Sequence, residues 1–443
     1  MKKSWNKEPQ DSQCKACVEY LREYPVFEKV LKGFREKYRS YGSFAGTVTL
    51  RNLTEEEREV LEGFFQKNYH GQKSISVSAA RFEKALQESR FAGVSPREVL
   101  EMYFQEELTG RREQEREEEG NWNRMLANLR MQCTGIREED WVKELEDTRS
   151  GMYFYLRKRY REAGKNMEEV QRLVRLGIQA LRQLPYRQGR MEYLAVFAAL
   201  LTGDPHGFDE GTKDGAFLRM LVEWDTKQRN IRIEASTLFP ALRKQRLYLT
   251  VGILRDDVSN YVMVSGMQAW KKDGSMHTGM EGFRRDGDPV QVPLSVVAGW
   301  QRVACPDQEM YIVENPSVFA MLCRKWRGKR ACMCMNGQPR LSSVLLLDLL
   351  AEAGTKIYYA GDFDPEGLLI AQKVKQYYRG EAVYWQMSVP VYERSRSGKM
   401  IPAKRIRALG RVTDPELAEL AEVIQKYRTA GYQENVWKVY FEK

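Results

Sequence analysis

The sequence predicts a multidomain chain, α+β over its first two thirds and α/β with a parallel four-stranded sheet in its last third. Three observations carry this reading. Between Glu309 and Met387, short apolar runs alternate with helix-length segments, the pattern of βαβ units. A polar residue followed by proline stands wherever strand gives way to helix, at Asn315-Pro316, Gln338-Pro339 and Asp364-Pro365, which is N-cap and first-turn chemistry. The chain has 443 residues, 42% hydrophobic and 30% charged, enough for several cores rather than one.

The elements follow in order. Residues 1–45, with "CVEYLREYPVFEKVLKGFREKYRSYG", read as a charged helical leader. Residues 46–110 read as a small α+β unit. In "GTVTLRNLTEEEREVLEGFF" an alternating strand precedes Thr54 and Glu57, which have capping-box spacing. "SISVSAARFEKALQESRF" repeats strand then helix, and Ser95, Pro96 and Glu98 open a further helix. Short strands among small helices suit a winged-helix unit or a general α+β module, and both stay open. Residues 111–226 read as a mostly helical arm that begins with the solvated charge run "RREQEREEE". Residues 227–305 read as a basic helix followed by β-rich runs, a winged-helix-like domain with Asp256, Asp257 and Ser259 as capping residues. Residues 306–443 hold the alternating strands and helices.

Lys and Arg number 71 against 61 Asp and Glu, a net charge of +10. Such an excess over folded domains suits a phosphate-rich partner, with solubility as the plainer alternative. Cations dominate from Tyr155 to Arg190, interleaved with tyrosines. Arg157, Lys158, Arg159 and Arg161 are the candidate backbone contacts to DNA there, against a solvated helix face. His70, His206 and His277 are the only histidines, and their separation argues against a histidine triad. His206 and Asp209 read as parts of a structured turn. Cys14 and Cys17 form a CxxC and Cys332 and Cys334 a CxC, but no second pair completes a zinc site. Free thiols, no apolar leader and no membrane-length apolar run predict a cytoplasmic protein without a membrane partner.

The chemistry is expected at the carboxyl ends of the parallel strands. Glu314 ends the first; Asp362 and Asp364, in "GDFDPEG", follow the third. Residues two apart on an extended chain point the same way, so both aspartates can face one ion. Crowded carboxylates without histidine or thiolate favour Mg²⁺ or Mn²⁺. Glu366, in the first helical turn, is a candidate outer ligand, with dipole complementation as its equal alternative. Arg340, at the start of the preceding helix, is a candidate phosphate contact.

A strand-terminal Glu, one βα unit and then GDxDxxG resembles the Toprim domain of topoisomerases, primases and related nucleases. "VENPSVF" is similar to its glutamate motif and "GDFDPEG" to its DxD motif. The DxDPxG form is similar to the A subunit of type IIB topoisomerases and to the meiotic double-strand-break protein. "TGDPHGFDEGT", "ILRDDVSNYVMVSG", "VENPSVF", "MNGQPRLSSVLLLDLLAEAG" and "YYAGDFDPEGLLIA" occur in the order found in the JetD family. Those proteins are the nuclease subunits of Wadjet, a bacterial plasmid-defence system built on an SMC-like motor. The resemblance runs from about Gly46 onward and is most specific in the last third; the CxxC segment has no counterpart in it. It implies an arm-like N-terminal region, a topoisomerase-related winged-helix domain and a C-terminal Toprim domain. It further implies cleavage of circular plasmid DNA and partnership with SMC-like motor subunits; double-strand cleavage needs two active sites or two successive cuts, so a homodimer is expected. By motif it assigns catalysis and metal binding to Glu314, Asp362 and Asp364. None of the 23 tyrosines matches the topoisomerase nucleophile motif, which favours hydrolysis by water. The alternatives are a non-cleaving Toprim-like module that docks DNA or a motor, and a small-molecule phosphotransferase.

Overall fold

The computed structural model describes residues 8–233 and 238–441. The chain divides into two compact units, Met1–Gln132 and Cys133–Lys443. Among the described residues no helix is long and apolar enough to cross a membrane.

The first unit takes in the 1–45 segment, the 46–110 module and the helix Arg111–Arg130. Helix Pro25–Tyr41 places Phe27, Val30, Leu31, Phe34 and Tyr38 on one buried stripe, the i, i+3, i+4 spacing of an amphipathic helix. Strands Thr47–Arg51 and Ser74–Ser78 pair antiparallel. Their alternation buries Val48, Leu50, Ile75 and Val77 against that stripe and leaves the threonines and serines outside. Thr54 and Glu57 form the expected capping box at helix Glu55–Phe65. Ser95 and Glu98 do so at helix Pro96–Phe104. Cys14 and Cys17 are buried free thiols in this core.

The second unit begins with helices Ile136–Glu144, Gly151–Glu162, Met167–Gln183, Leu194–Thr202 and Lys213–Gln228. Gly177 lets Trp141 lie against helix Met167–Gln183, since a Cβ there would stand 2.2 Å from the indole. His206 accepts or donates to Asp209 at 2.8 Å within the 201–212 turn. Asp257 is buried and accepts from the Ser295 N–H at 2.7 Å, at the start of helix Leu294–Ala298.

The C-terminal sheet corrects one expectation. The four parallel strands are present, but the sheet has six strands and is mixed. Glu309–Val313, Ala331–Cys334, Lys356–Ala360 and Ala382–Tyr384 run parallel. Tyr261–Ser265 pairs antiparallel with 331–334, and Val290–Pro293 pairs antiparallel with Tyr261–Ser265. The 227–305 segment thus extends the same sheet. The reason is hydrophobic: Val262 and Val264 alternate into the core that Met310, Ile312, Met333 and Ile357 share with Leu322, Leu347 and Ile370. From 309–313 the chain moves to one side, to 331–334, then crosses back to 356–360 and outward to 382–384. The order reverses between 309–313 and 356–360, so the crevice of this sheet opens beyond the carboxyl ends of those two strands.

Candidate metal centre

Glu314 and Asp362 meet at that reversal. The 309–313 and 356–360 strands are in register with Val313 opposite Ala360. The ladder continues one step further, because the Glu314 N–H donates to the Ala360 carbonyl at 3.1 Å. On the other side the Asn336 N–H donates to the Glu314 carbonyl at 3.1 Å. Fixed on both flanks, Glu314 turns its carboxylate across the crevice, where Oε2 accepts the Asp362 N–H at 3.3 Å. Gly361 permits this approach, as a Cβ there would lie 3.1 Å from Glu314 Oε2.

The DxD turn is held by burying its middle residue. Phe363 is fully buried and exchanges both backbone hydrogen bonds with Gly431, at 2.9 and 3.0 Å. Alternation then directs Asp362 and Asp364 away from the core. Asp364 caps helix Pro365–Tyr377, its Oδ1 accepting the Gly367 N–H at 2.8 Å. Gly367 is required by close approach, since a Cβ there would stand 2.2 Å from the Asp362 carbonyl oxygen.

Three further residues reach the site from distant sequence. The Gln433 N–H donates to Asp362 Oδ1 at 3.0 Å, and Gln433 Oε1 accepts the Asn315 N–H at 3.0 Å. Asn315 Nδ2 donates to Glu434 Oε1 at 2.5 Å, which brings a fourth carboxylate to the rim. Arg405, on the short helix Ala403–Ile406, donates through Nη2 to Asp364 Oδ2 at 2.5 Å. Its Nε donates to both oxygens of Glu366 at 3.0 Å. Glu366, expected as an outer ligand, is therefore held by Arg405.

The electrostatics follow from burial. Glu314 is pushed up to about 7, first by burial and then by the charge of Asp362. Asp362 is pushed up to about 6 by burial, with Glu434 and Asp364 adding to it and the Gln433 N–H opposing it. Glu366 is held below the usual carboxylate range by its hydrogen bonds to Arg405. Tyr359 is fully buried beside the acids, and its hydroxyl has no hydrogen-bond partner among the described residues. Burial, then the charges of Glu314 and Asp362, hold that phenol well above its usual range.

The donor set fits a hard divalent cation. Glu314 and Asp362 offer only oxygen, have no cationic partner among the described residues, and sit beside an orphaned hydroxyl. As the side chains stand, Asp364 is turned to Arg405, and among the described residues no group of three or more His, Cys, Asp or Glu is arranged to hold an ion.

The candidate DNA contacts have the following neighbours. Arg159 is buried and ion-paired with Glu162 and Glu169. Lys158 pairs with Glu162, and Arg157 donates to the Tyr153 hydroxyl. Arg161 is exposed. Arg340 lies over the Tyr261 ring, 4.5 Å from its centroid. Its helix begins at Leu341 rather than at Pro339, and the Ser342 N–H is buried and donated to Asn260.

Sequence reasoning missed a different basic stretch. From Arg394 to Thr413 the chain carries Arg394, Arg396, Lys399, Lys404, Arg405, Arg407 and Arg411 and no acid. All but Arg405 are exposed, and Arg394, Lys399, Lys404, Arg407 and Arg411 form no ion pair among the described residues. Strand Arg396–Met400 pairs with Thr429–Gly431, and Gly431 bridges Phe363 of the DxD turn. A ribbon of unpaired cations therefore runs beside the acids. An acid-free basic run downstream of the DxD motif, between Glu393 and Asp414, was the available signal.

The family model described as protein of unknown function N-terminus (DUF3323) matches residues 44–269, about half of the chain. The model described as protein of unknown function C-terminus (DUF2399) matches residues 290–443, the stretch that contains the acidic crevice. No curated protein matches the chain. With a match over half its length, and with the sheet that carries the crevice lying largely within the C-terminal match, the chain belongs to the DUF3323 family.

Proposed function

We propose that this protein is a divalent-metal-dependent endonuclease that hydrolyses phosphodiester bonds of DNA. The observation that carries the reading is the meeting of Glu314 and Asp362 at the reversal of the parallel sheet, two half-buried carboxyls with no cationic partner among the described residues. The unpaired cations of 394–411 support it, because they supply phosphate contacts beside acids that would otherwise repel DNA. Glu314, Asp362 and Asp364 would hold Mg²⁺ or Mn²⁺. The bound ion supplies charge stabilisation and Lewis-acid polarisation at the phosphodiester. The chain's own work is to hold the carboxylates convergent: Ala360 and Asn336 fix Glu314, Gln433 fixes Asp362, and the buried Phe363 fixes the turn.

The paired families are consistent with the JetD resemblance. On that reading the domain around the crevice is Toprim-like, the 227–305 segment is winged-helix-like, and the substrate is circular plasmid DNA presented by an SMC-like motor, with a homodimer supplying two cuts. A second reading, a non-cleaving module that docks DNA, is favoured by one observation: Asp364 and Glu366 are already ion-paired with Arg405.

The test is incubation of closed circular and linear DNA with the full chain and Mg²⁺, with and without its SMC-like partners, comparing wild type with Asp362→Asn. Metal-dependent nicking is expected to fall by at least about 100-fold in the variant, the scale of losing one transition-state charge stabiliser. Equal nicking by both proteins overturns the assignment. Retained DNA binding without cleavage under any divalent ion establishes the docking reading instead.

A further inference from the structure

We propose that Arg405 is the resident counter-cation of the DxD acids and the residue that passes to the scissile phosphate once a divalent ion displaces it. The inference rests on the metal-site reading above.

Both oxygens of Asp364 are occupied. Oδ1 caps the helix through Gly367, and Oδ2 accepts from Arg405 Nη2. Each oxygen keeps a second lone pair, but Oδ1 is turned into the helix cap, and an ion at Oδ2 stands cation against cation with the Arg405 guanidinium. Ion and guanidinium therefore compete for one oxygen.

The displaced side chain does not drift away. Nε and Nη2 of Arg405 are also gripped by Glu366, whose carboxylate lies in the first turn of helix Pro365–Tyr377. Glu366 thus anchors the guanidinium within a side chain's length of the DxD turn after Asp364 is lost. Nη1 has no hydrogen-bond partner among the described residues, so one edge of the planar fork is open. The Arg405 side chain is 38% exposed, so that edge reaches solvent.

An independent observation says what the open edge meets. Arg405 lies within the acid-free run from Arg394 to Arg411, whose other cations are exposed. Phosphates drawn along that ribbon come to the acids from Arg405's side. Arginine is the side chain suited to grip a phosphate through two parallel N–H bonds. In the ion-free state Arg405 offsets the repulsion among the acids; in the loaded state the ion does so and the guanidinium is released for substrate. Arg405 makes and breaks no covalent bond in this scheme.

The scheme predicts opposite signs for two measurements on one variant. Mn²⁺ binding is measured by calorimetry, and cleavage of circular DNA is measured with Mg²⁺, for wild type, Arg405→Ala and Glu366→Gln. Arg405→Ala is expected to bind Mn²⁺ about 5- to 10-fold more tightly, since a partly exposed ion pair no longer competes. The same variant is expected to cleave about 100-fold more slowly. Glu366→Gln loosens the anchor while keeping the guanidinium and is expected to tighten Mn²⁺ binding as well, which keeps the test valid should Arg405→Ala fold poorly. Arg405→Ala binding Mn²⁺ no better than a wild type that does bind it overturns the role of Arg405 alone. Weaker Mn²⁺ binding by Glu366→Gln makes Glu366 a ligand and overturns the anchor. Absence of binding by all three proteins overturns the metal reading and this proposal together.

Discussion

Glu314 and Asp362 hold their protons more tightly in the fold than in an unfolded chain, at about 7 against 4.5 and about 6 against 3.8. The folded state therefore binds more protons than the unfolded state between about pH 4 and pH 7, and stability falls as pH rises through that window. For Glu314 the loss amounts to about 2–3 kcal/mol, discounted for partial solvent access. Urea midpoints in EDTA at pH 5 and pH 8 check this: Glu314→Gln should gain on wild type at pH 8 relative to pH 5. Millimolar Mg²⁺ should close the gap at pH 8 only, because a cation stabilises the ionised pair and has no purchase on the protonated one. A difference between the two proteins that is the same at both pH values counts against the strained pair.

At the scale of elements, two basic segments invite comparison. Helix Gly151–Glu162 engages Arg157, Lys158 and Arg159 internally, on Tyr153, Glu162 and Glu169, and exposes Arg161. In the 394–411 segment Arg405 pairs with Asp364 and Glu366, while Arg394, Lys399, Lys404, Arg407 and Arg411 are exposed and form no ion pair among the described residues. Replacing Lys399, Lys404 and Arg407 together by Ala should lower the slope of log K against log salt for duplex DNA by about 2–3, near 0.9 for each phosphate that is no longer neutralised. Replacing Arg157, Lys158 and Arg161 should leave that slope unchanged. Fluorescence anisotropy across a salt series reads both, and the opposite ranking returns the DNA path to the helical segment. Arg159 is a different matter, for it is a buried partner of two glutamates and its loss would cost stability first.

At the scale of the molecule, two units carry separate hydrophobic clusters, one over residues 14–108 and one over the C-terminal sheet. Phe34 is fully buried in the first and Leu347 in the second. Phe34→Ala should cost about 3–5 kcal/mol and Leu347→Ala about 2–5 kcal/mol, each by leaving a cavity. Their functional consequences should differ. Phe34→Ala is expected to leave Mn²⁺ affinity unchanged, whereas Leu347→Ala loosens the sheet that aligns Glu314 with Asp362 and weakens it. Thermal unfolding with calorimetric titration of both variants checks the pair, and weakened Mn²⁺ binding by Phe34→Ala would show that the two cores are coupled.

Local pattern alone predicts the alternating strands and helices of the last third, because proline and capping residues act over a few neighbours. It likewise predicts Glu314, Asp362 and Asp364 as strand-end acids, because a strand's polarity fixes which end carries them. Cap and candidate ligand coincide in Asp364, as local chemistry allows. That Tyr261–Ser265 and Val290–Pro293 complete the same sheet is visible in the fold and not in the local pattern, since strand pairing depends on distant register. The fold alone brings Gln433 to Asp362 and Arg405 to Asp364, across 71 and 41 residues of chain. Such contacts are set by how the segments pack, and no periodicity in the sequence encodes them.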